Sequence, residues 1–355
     1  MTSRKPTIRA KIWNGICYPF KKMKNWLKFF FQHVSLKRVY IGFTIYLGWR
    51  RILKDERLYS CPPPGEQRDL FAQYVKSVDI EVFSFCNRRC WFCPNSSIDR
   101  HSQNIIMPDE MYGKILNELA EISYSGKIWF TRYNETFSDR IILDRIREAR
   151  QKLPNATLHA YTNGDYITRE YLDEIANAGL DDLHIMRYPQ SKDVYDEQQQ
   201  IDILIAYAKK LDYPFKLQND ISAKVFHPSM AIEIVGMNMQ VYVCNRADSV
   251  TVFTKPYRRT FPCHYPFTNM QIDHNGSVMP CCNTRSDAPQ HAEMIMGNVA
   301  EKTLFEIYSN FRYSLLRYQM REVGYKVYPC NACDAKTLRC QVKEIECSFV
   351  SKRSK

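Results

Sequence analysis

The sequence predicts an α/β protein built on a parallel sheet with crossover helices. Three observations carry that expectation. From about residue 76 short apolar runs alternate with amphipathic stretches of helical period, the pattern of β/α repeats. The first apolar run ends in a loop holding Cys86, Cys90 and Cys93. After residue 255 the alternation stops and cysteines accumulate among turn residues.

Taken in order, the repeats begin with VDIEVFSF, a buried strand that delivers the three cysteines. Residues 107–122 form an amphipathic helix, with Pro108 and Asp109 suited to its first turn. A second strand, 127–133, runs into Asn134 and Glu135. Helix 138–153 stops before Pro154, and strand 156–164 closes on Thr162-Asn163-Gly164. Helix 168–179 is capped by Gly179 and leads to strand 181–189. Helix 196–211, a fifth strand at 214–220 and strand-like alternation over 231–244 complete the repeats. Beyond them, Asn275-Gly276 inside 270–280 marks a hairpin, and 303–317 reads as one helix. Parallel sheets place working residues at the carboxyl ends of their strands, where the cysteine loop, Glu135, Thr162, Asn163 and Arg187 all fall.

The formal charge of +12 is local. Residues 1–57 hold fourteen Lys or Arg against Asp55 and Glu56, whereas the rest of the chain holds thirty-six of each sign. The high pI therefore describes an extension rather than the active site, and nucleic acid is not an expected partner. That extension, residues 1–75, mixes lysines with aromatics. It suits either a layer packed on the main domain or peripheral contact of residues 1–57 with an anionic membrane surface. Its longest uncharged apolar stretch, 39–49, is too short to span a bilayer. Cys61 and Pro62 to Gly65 look like a rigid hinge ending it. Thirteen cysteines in a chain too long for a disulfide scaffold, with no cleavable signal peptide, read as reduced ligands in a cytoplasmic protein.

Three thiolates at these spacings converge on one metal centre and lack a fourth protein ligand in the same loop. A structural zinc site is normally closed by four protein ligands, whereas an iron-sulfur cluster with one free iron can bind a further group there. The C-terminal hundred residues, with seven cysteines from Cys263 to Cys347, need metal binding to stabilise so small an apolar core.

The Cys86-x3-Cys90-x2-Cys93 motif, with Phe92 before its last cysteine and a strand before its first, resembles that of the radical S-adenosylmethionine (SAM) superfamily. The segment Tyr133-Asn134-Glu135 is similar to the family's Gly-Gly-Glu with both glycines replaced, and Thr162-Asn163-Gly164 to its third-strand ending. No serine on strand four matches the family's ribose contact. Cys263, Gly276 and Cys281, followed by Cys330-x2-Cys333, resemble the SPASM/Twitch extension of some members. The spacers of six and six after Cys333 favour the single-cluster, Twitch-like form.

The resemblance implies a partial (β/α)6 TIM-like barrel over residues 76–255 and an auxiliary iron-sulfur domain over 256–355. It implies a [4Fe-4S] cluster on Cys86, Cys90 and Cys93 that reductively cleaves SAM. Asn134, Glu135, Thr162, Asn163 and Arg187 would hold the cofactor. One auxiliary [4Fe-4S] cluster would sit on Cys263, Cys281, Cys330 and Cys333. The implied reaction is hydrogen abstraction from a small-molecule substrate, a sugar, cyclitol or lipid-linked sugar, leading to oxidation or epimerisation. A flavodoxin- or ferredoxin-type protein would supply electrons. Arg246 is a candidate for holding a carboxylate or phosphate, and Cys282 for returning a hydrogen atom, with Cys244, Cys340 and Cys347 as further thiols. Peptide modification or protein maturation is the enzymatic alternative, and a non-catalytic membrane-surface iron-sulfur scaffold the alternative of another class.

Overall fold

The computed structural model describes residues 48–188, 195–239, 244–250, 252 and 257–335. Contacts divide the chain into Asp55–Thr337 and a second unit of Met1–Lys54 with Leu338–Lys355. Of the second unit only 48–54 are described, with 48–53 helical. The basic stretch before them, Cys340 and Cys347 lie outside the described residues. No described helix is long and apolar enough to cross a membrane.

The larger unit opens with α1 (Pro64–Tyr74), so Pro64 and Gly65 start a helix rather than complete a hinge. Proline suits that position because the N–H it lacks would have no partner in the first turn. Leu70, Phe71 and Tyr74 of α1 face inward.

The repeats follow: β1 (Ser77–Ile80), α2 (Asp109–Glu121), β2 (Lys127–Phe130), α3 (Ile141–Lys152), β3 (Thr157–Thr162), α4 (Arg169–Ala178), β4 (Asp182–Arg187) and α5 (Glu197–Lys210). Local chemistry sets their ends. Thr168 caps α4 by accepting from the Tyr171 N–H, and Gly179 ends it at φ +102°, where a Cβ would stand 2.9 Å from the Arg150 side chain. Next come β5 (Phe215–Asn219), β6 (Ser222–Phe226) and β7 (Ala231–Gly236), then α6 (Tyr265–Thr268), β8 (Asn269–Ile272), β9 (Ser277–Met279) and β10 (Gly297–Asn298). The described chain closes with α7 (Leu304–Tyr308) and α8 (Phe311–Met320).

One ten-stranded sheet runs β10-β9-β8-β1-β2-β3-β4-β7-β6-β5. Its six central strands, β8-β1-β2-β3-β4-β7, are mutually parallel. Two members differ from the expected order. The run at 214–220 is not a parallel strand: β5 pairs antiparallel with β6, and β7 takes the place beside β4. On the other side β8, from the cysteine-rich end of the chain, pairs parallel with β1 through four registered positions, Ser77 to Ile80 against Asn269 to Ile272. With a neighbour on each side and both faces covered, all of β1 is buried. The helix expected over 303–317 breaks at Ser309-Asn310, because the Asn310 side chain caps α8 by accepting from the Tyr313 N–H at 2.9 Å.

The core lies between sheet and helices. Phe71 packs edge-on to Phe305 and Tyr308 of α7 at centroid distances of 5.4 and 5.5 Å. Residues of the opposite parity, Trp129, His159, Tyr161 and His184, stack on the other sheet face, with Trp129 4.4 Å from His159 and 4.9 Å from Tyr161.

Candidate active site

The parallel strands bring the candidate residues to one sheet edge. The cysteine loop follows β1, Glu135 follows β2, Thr162 and Asn163 end β3, Arg187 ends β4, and Arg246 lies beyond β7.

The loop is shaped by its backbone. The Cys86 N–H donates to Arg100 O at 2.8 Å, and Cys93 N–H to Cys90 O at 2.9 Å. Burial, then repulsion from Cys93, pushes Cys90 up to about 11, and burial, then repulsion from Glu135 ahead of that from Cys93 and Cys90, pushes Cys86 up to about 12. Phe92 leans on Tyr188 with ring centroids 5.0 Å apart.

Glu135 is buried at 2 % exposure, and burial pushes its carboxyl up to about 7 against the bonds it accepts. Its Oε1 accepts from Thr162 Oγ1 and from the Phe137 N–H at 3.3 Å, and Oε2 accepts from the Asn163 N–H at 2.7 Å. One lone-pair direction of Oε2 stays open. Beside it, both polar atoms of the Asn134 side chain are buried without a protein partner. Gly164 turns the chain at φ +81°; a Cβ there would lie 2.5 Å from Tyr207 Oη.

Sequence reasoning missed the polar lattice around this turn. Asn163 Nδ2 donates to Asn87 Oδ1 at 2.8 Å, and Asn87 Nδ2 to Asp165 Oδ2 at 2.8 Å. Arg88 Nε donates to Asp165 Oδ2 at 2.7 Å. Arg187 donates to Asn163 O at 2.8 Å and lies 4.4 Å over the Tyr207 ring. Only the position of these residues at strand ends could have flagged them.

The second thiol set surrounds the β8–β9 hairpin and the loop before residue 335. Burial raises Cys263 to about 11 and Cys281 to about 12, and raises Cys330 and Cys333 as well. Cys330 feels repulsion from Cys281, Cys263 and Cys333, so these four form one constellation. Arg259 borders it, donating to Cys333 O at 2.9 Å. Cys282 departs from the set: its main-chain carbonyl accepts from Tyr133 Oη at 3.0 Å, and its thiol borders Arg246 and Cys244.

A buried ionic brace joins the two loops, and it too was missed. After β1, Glu81 accepts from the Tyr133 N–H at 3.0 Å and from His274 Nδ1 at 2.8 Å, and pairs with Arg100 at 3.2 Å. Arg100 also pairs with Asp287 at 2.7 Å. Arg132 holds Asp273 and donates to Thr284 O at 2.9 Å. Arg285 grips Asp287 and donates to Asn95 Oδ1 at 2.9 Å, while Asn95 Nδ2 donates to Tyr133 O at 2.7 Å.

Comparison with known families matches residues 80–186 to the radical SAM superfamily and residues 263–334 to SPASM, an iron-sulfur cluster-binding domain. The chain belongs to the radical SAM superfamily. Among curated proteins it is similar to the S-adenosyl-L-methionine-dependent 2-deoxy-scyllo-inosamine dehydrogenase of Niallia circulans, 22% identical over 249 residues, covering 69% of this chain and 86% of that one. Among solved structures, BtrN in complex with AdoMet and 2-DOIA aligns with TM-score 0.56 at 20% identity, covering 74% of this chain and 94% of that one. Native anSMEcpe with bound AdoMet aligns at 0.42 and 12% identity, covering 69% and 82%. The likeness to BtrN is one of fold.

The residues present fit the groups this radical SAM enzyme requires. Among the described residues no three His, Cys, Asp or Glu side chains close on a single ion. Thiolates are the ligands that hold a four-iron cube. The donor chemistry agrees, three thiols in one loop and four around the hairpin, and the orphaned amide of Asn134 supplies polar atoms for a ligand beside Glu135.

Proposed function

We propose that this radical SAM enzyme oxidises a secondary alcohol of a sugar or cyclitol, with 76–255 as the radical-generating part and 256–355 as the auxiliary part. The observation that carries the reading is the pair of thiol sets in one compact unit, tied by Tyr133, whose Oη meets the Cys282 carbonyl at 3.0 Å and whose carbonyl takes Asn95 Nδ2 at 2.7 Å. The named activity of the Niallia circulans relative supports a cyclitol.

Cys86, Cys90 and Cys93 would hold the first cluster, and Cys263, Cys281, Cys330 and Cys333 the second. When bound, the first cluster with SAM would supply hydrogen-atom abstraction, and a second cluster closed by four thiolates would supply a one-electron acceptor, the alcohol becoming a ketone with loss of one proton to solvent. The protein's part is to bind, orient and exclude water. Glu135 offers its open Oε2 direction to the ammonium of SAM, and Asn134 its amide. Thr162 and the Asn163 N–H hold that carboxylate in place. Phe92 and Tyr188 form an apolar wall at the loop.

Anaerobic reconstitution followed by dithionite and SAM tests the reading. It should give 5′-deoxyadenosine and about eight irons per chain, and the Cys330→Ala/Cys333→Ala variant should fall to about four. A fully loaded first cluster that forms no 5′-deoxyadenosine would sink it.

A further inference from the structure

Arg246, Ala247 and Asp248 stand in succession at φ +48°, +51° and +70°. L-residues avoid this left-handed region, and runs of it survive only where surroundings impose them, most often at working sites. Here the turn is fastened on every side. Before it, the Asn245 N–H donates to Asp334 Oδ1 and its Nδ2 to Ala332 O, both at 2.7 Å, which ties it to the Cys330–Cys333 loop. Across it, the Val250 N–H returns to Asn245 O at 3.0 Å, and Ser249 Oγ donates to Arg246 O at 2.7 Å. His291 accepts from the Arg285 N–H on Nδ1, so its proton sits on Nε2, which donates to Ala247 O at 2.8 Å. No glycine relieves the turn, so its geometry is bought with these bonds.

What the turn presents is the Arg246 guanidinium. Its electrostatic neighbours are Cys244, Tyr133, Cys282 and Cys93, which place it near the first thiol loop and the Tyr133–Cys282 link. Its hydrogen bond goes to Asn283 Oδ1 at 3.3 Å. Other buried arginines nearby hold carboxylates: Arg100 holds Glu81 and Asp287, Arg132 holds Asp273, and Arg285 holds Asp287. Among the described residues no carboxylate pairs with Arg246, and Asn283 Oδ1 is the acceptor that meets its planar fork of donors.

The geometry points to Arg246 as the receptor for an oxyanion carried by the substrate, a phosphate ester or a carboxylate, which the fork takes in bidentate fashion. This rests on the function proposed above and adds that the sugar or cyclitol is anionic.

Calorimetric titration of the reconstituted full-length enzyme with SAM present tests it, using myo-inositol, myo-inositol 1-phosphate, glucuronate and inorganic phosphate. The expected result is binding of one charged probe at least about tenfold tighter than neutral myo-inositol. Preference for the phosphate probe assigns an ester, and preference for glucuronate an acid. Arg246→Gln should erase the preference, Arg246→Lys should keep part of it, and Arg312→Gln, an equal change of charge on exposed α8, should leave it intact. Equal binding of neutral and charged probes, no oxyanion binding at millimolar concentration, or a preference that survives in Arg246→Gln overturns the assignment. Formation of 5′-deoxyadenosine by the wild type without any probe separates the two readings. Its absence sinks the proposed function, whereas its presence without oxyanion preference sinks only this inference.

Discussion

In the proposed site, Glu135 would concentrate the chemistry of cofactor capture in one carboxyl group. Burial pushes it up to about 7, above the unfolded value near 4.3, so the ionised form costs stability that is lost as pH rises through that window. A bound ammonium reverses the balance, because it favours the carboxylate. The affinity for SAM is therefore expected to fall as pH drops below about 7, approaching tenfold per unit, and to fall again above about 8 as the α-amino group of SAM loses its proton. Glu135→Gln keeps the shape without the charge. It should weaken binding by about tenfold or more and flatten the profile in that range. Equilibrium titration of the cluster-loaded enzyme with SAM from about pH 6 to 8.5 measures both; a flat wild-type curve would remove Glu135 from the ammonium site.

Among the elements, the loops after β1, β2 and β8 act as one piece because buried charges tie them. Arg285 is fully buried, pairs with Asp287, donates to Asn95 and lies 4.2 Å over the Tyr133 ring. Arg285→Met leaves Asp287 with only Arg100 and Asn95 with a lost donor, and should cost about 3 kcal/mol in urea unfolding of the cluster-free chain. Asn95→Ala should cost about 1 kcal/mol, and the double variant less than the sum, since the two side chains touch. An additive double variant would mean that the loops are independent. None of this brace was legible in the sequence, because Glu81, Arg132, Asp273 and Arg285 meet only through long-range pairing. The three-cysteine loop and the helices of the β/α repeats were legible, since ligand spacing and a 3.6-residue period are local, whereas the start of α1 was read as a hinge. The strand at 214–220 was recognised as a strand but not as antiparallel, because alternation does not name a partner. The break at Asn310 hid inside an otherwise helical run, and the Arg246 turn left no signal because it contains no glycine.

At the scale of the whole molecule, the cysteine-rich end is part of the fold that houses the first cluster. β8 completes the parallel sheet at β1, and the pairing continues past both ends, with the Lys76 N–H on Thr268 O at 2.7 Å and the Glu81 N–H on Ile272 O at 2.9 Å. A chain ending at residue 255 would lose β8 and bare the buried edge of β1, a row of unpaired backbone groups open to aggregation. It would also strip Arg132 of Asp273, leaving that buried charge without a carboxylate, and would take His274 and Asp287 from the Glu81–Arg100 pair. Residues 1–255 should therefore be insoluble or fail to take up the first cluster, although they hold Cys86, Cys90 and Cys93, its proposed ligands. In contrast, the full-length Cys330→Ala/Cys333→Ala variant should stay soluble and keep its first four irons, because the hairpin is still present. Soluble yield and iron content of the two proteins decide the matter. A truncated chain that is soluble with about four irons would show that the auxiliary part is an appendage and that the sheet continuity has no role in the first site.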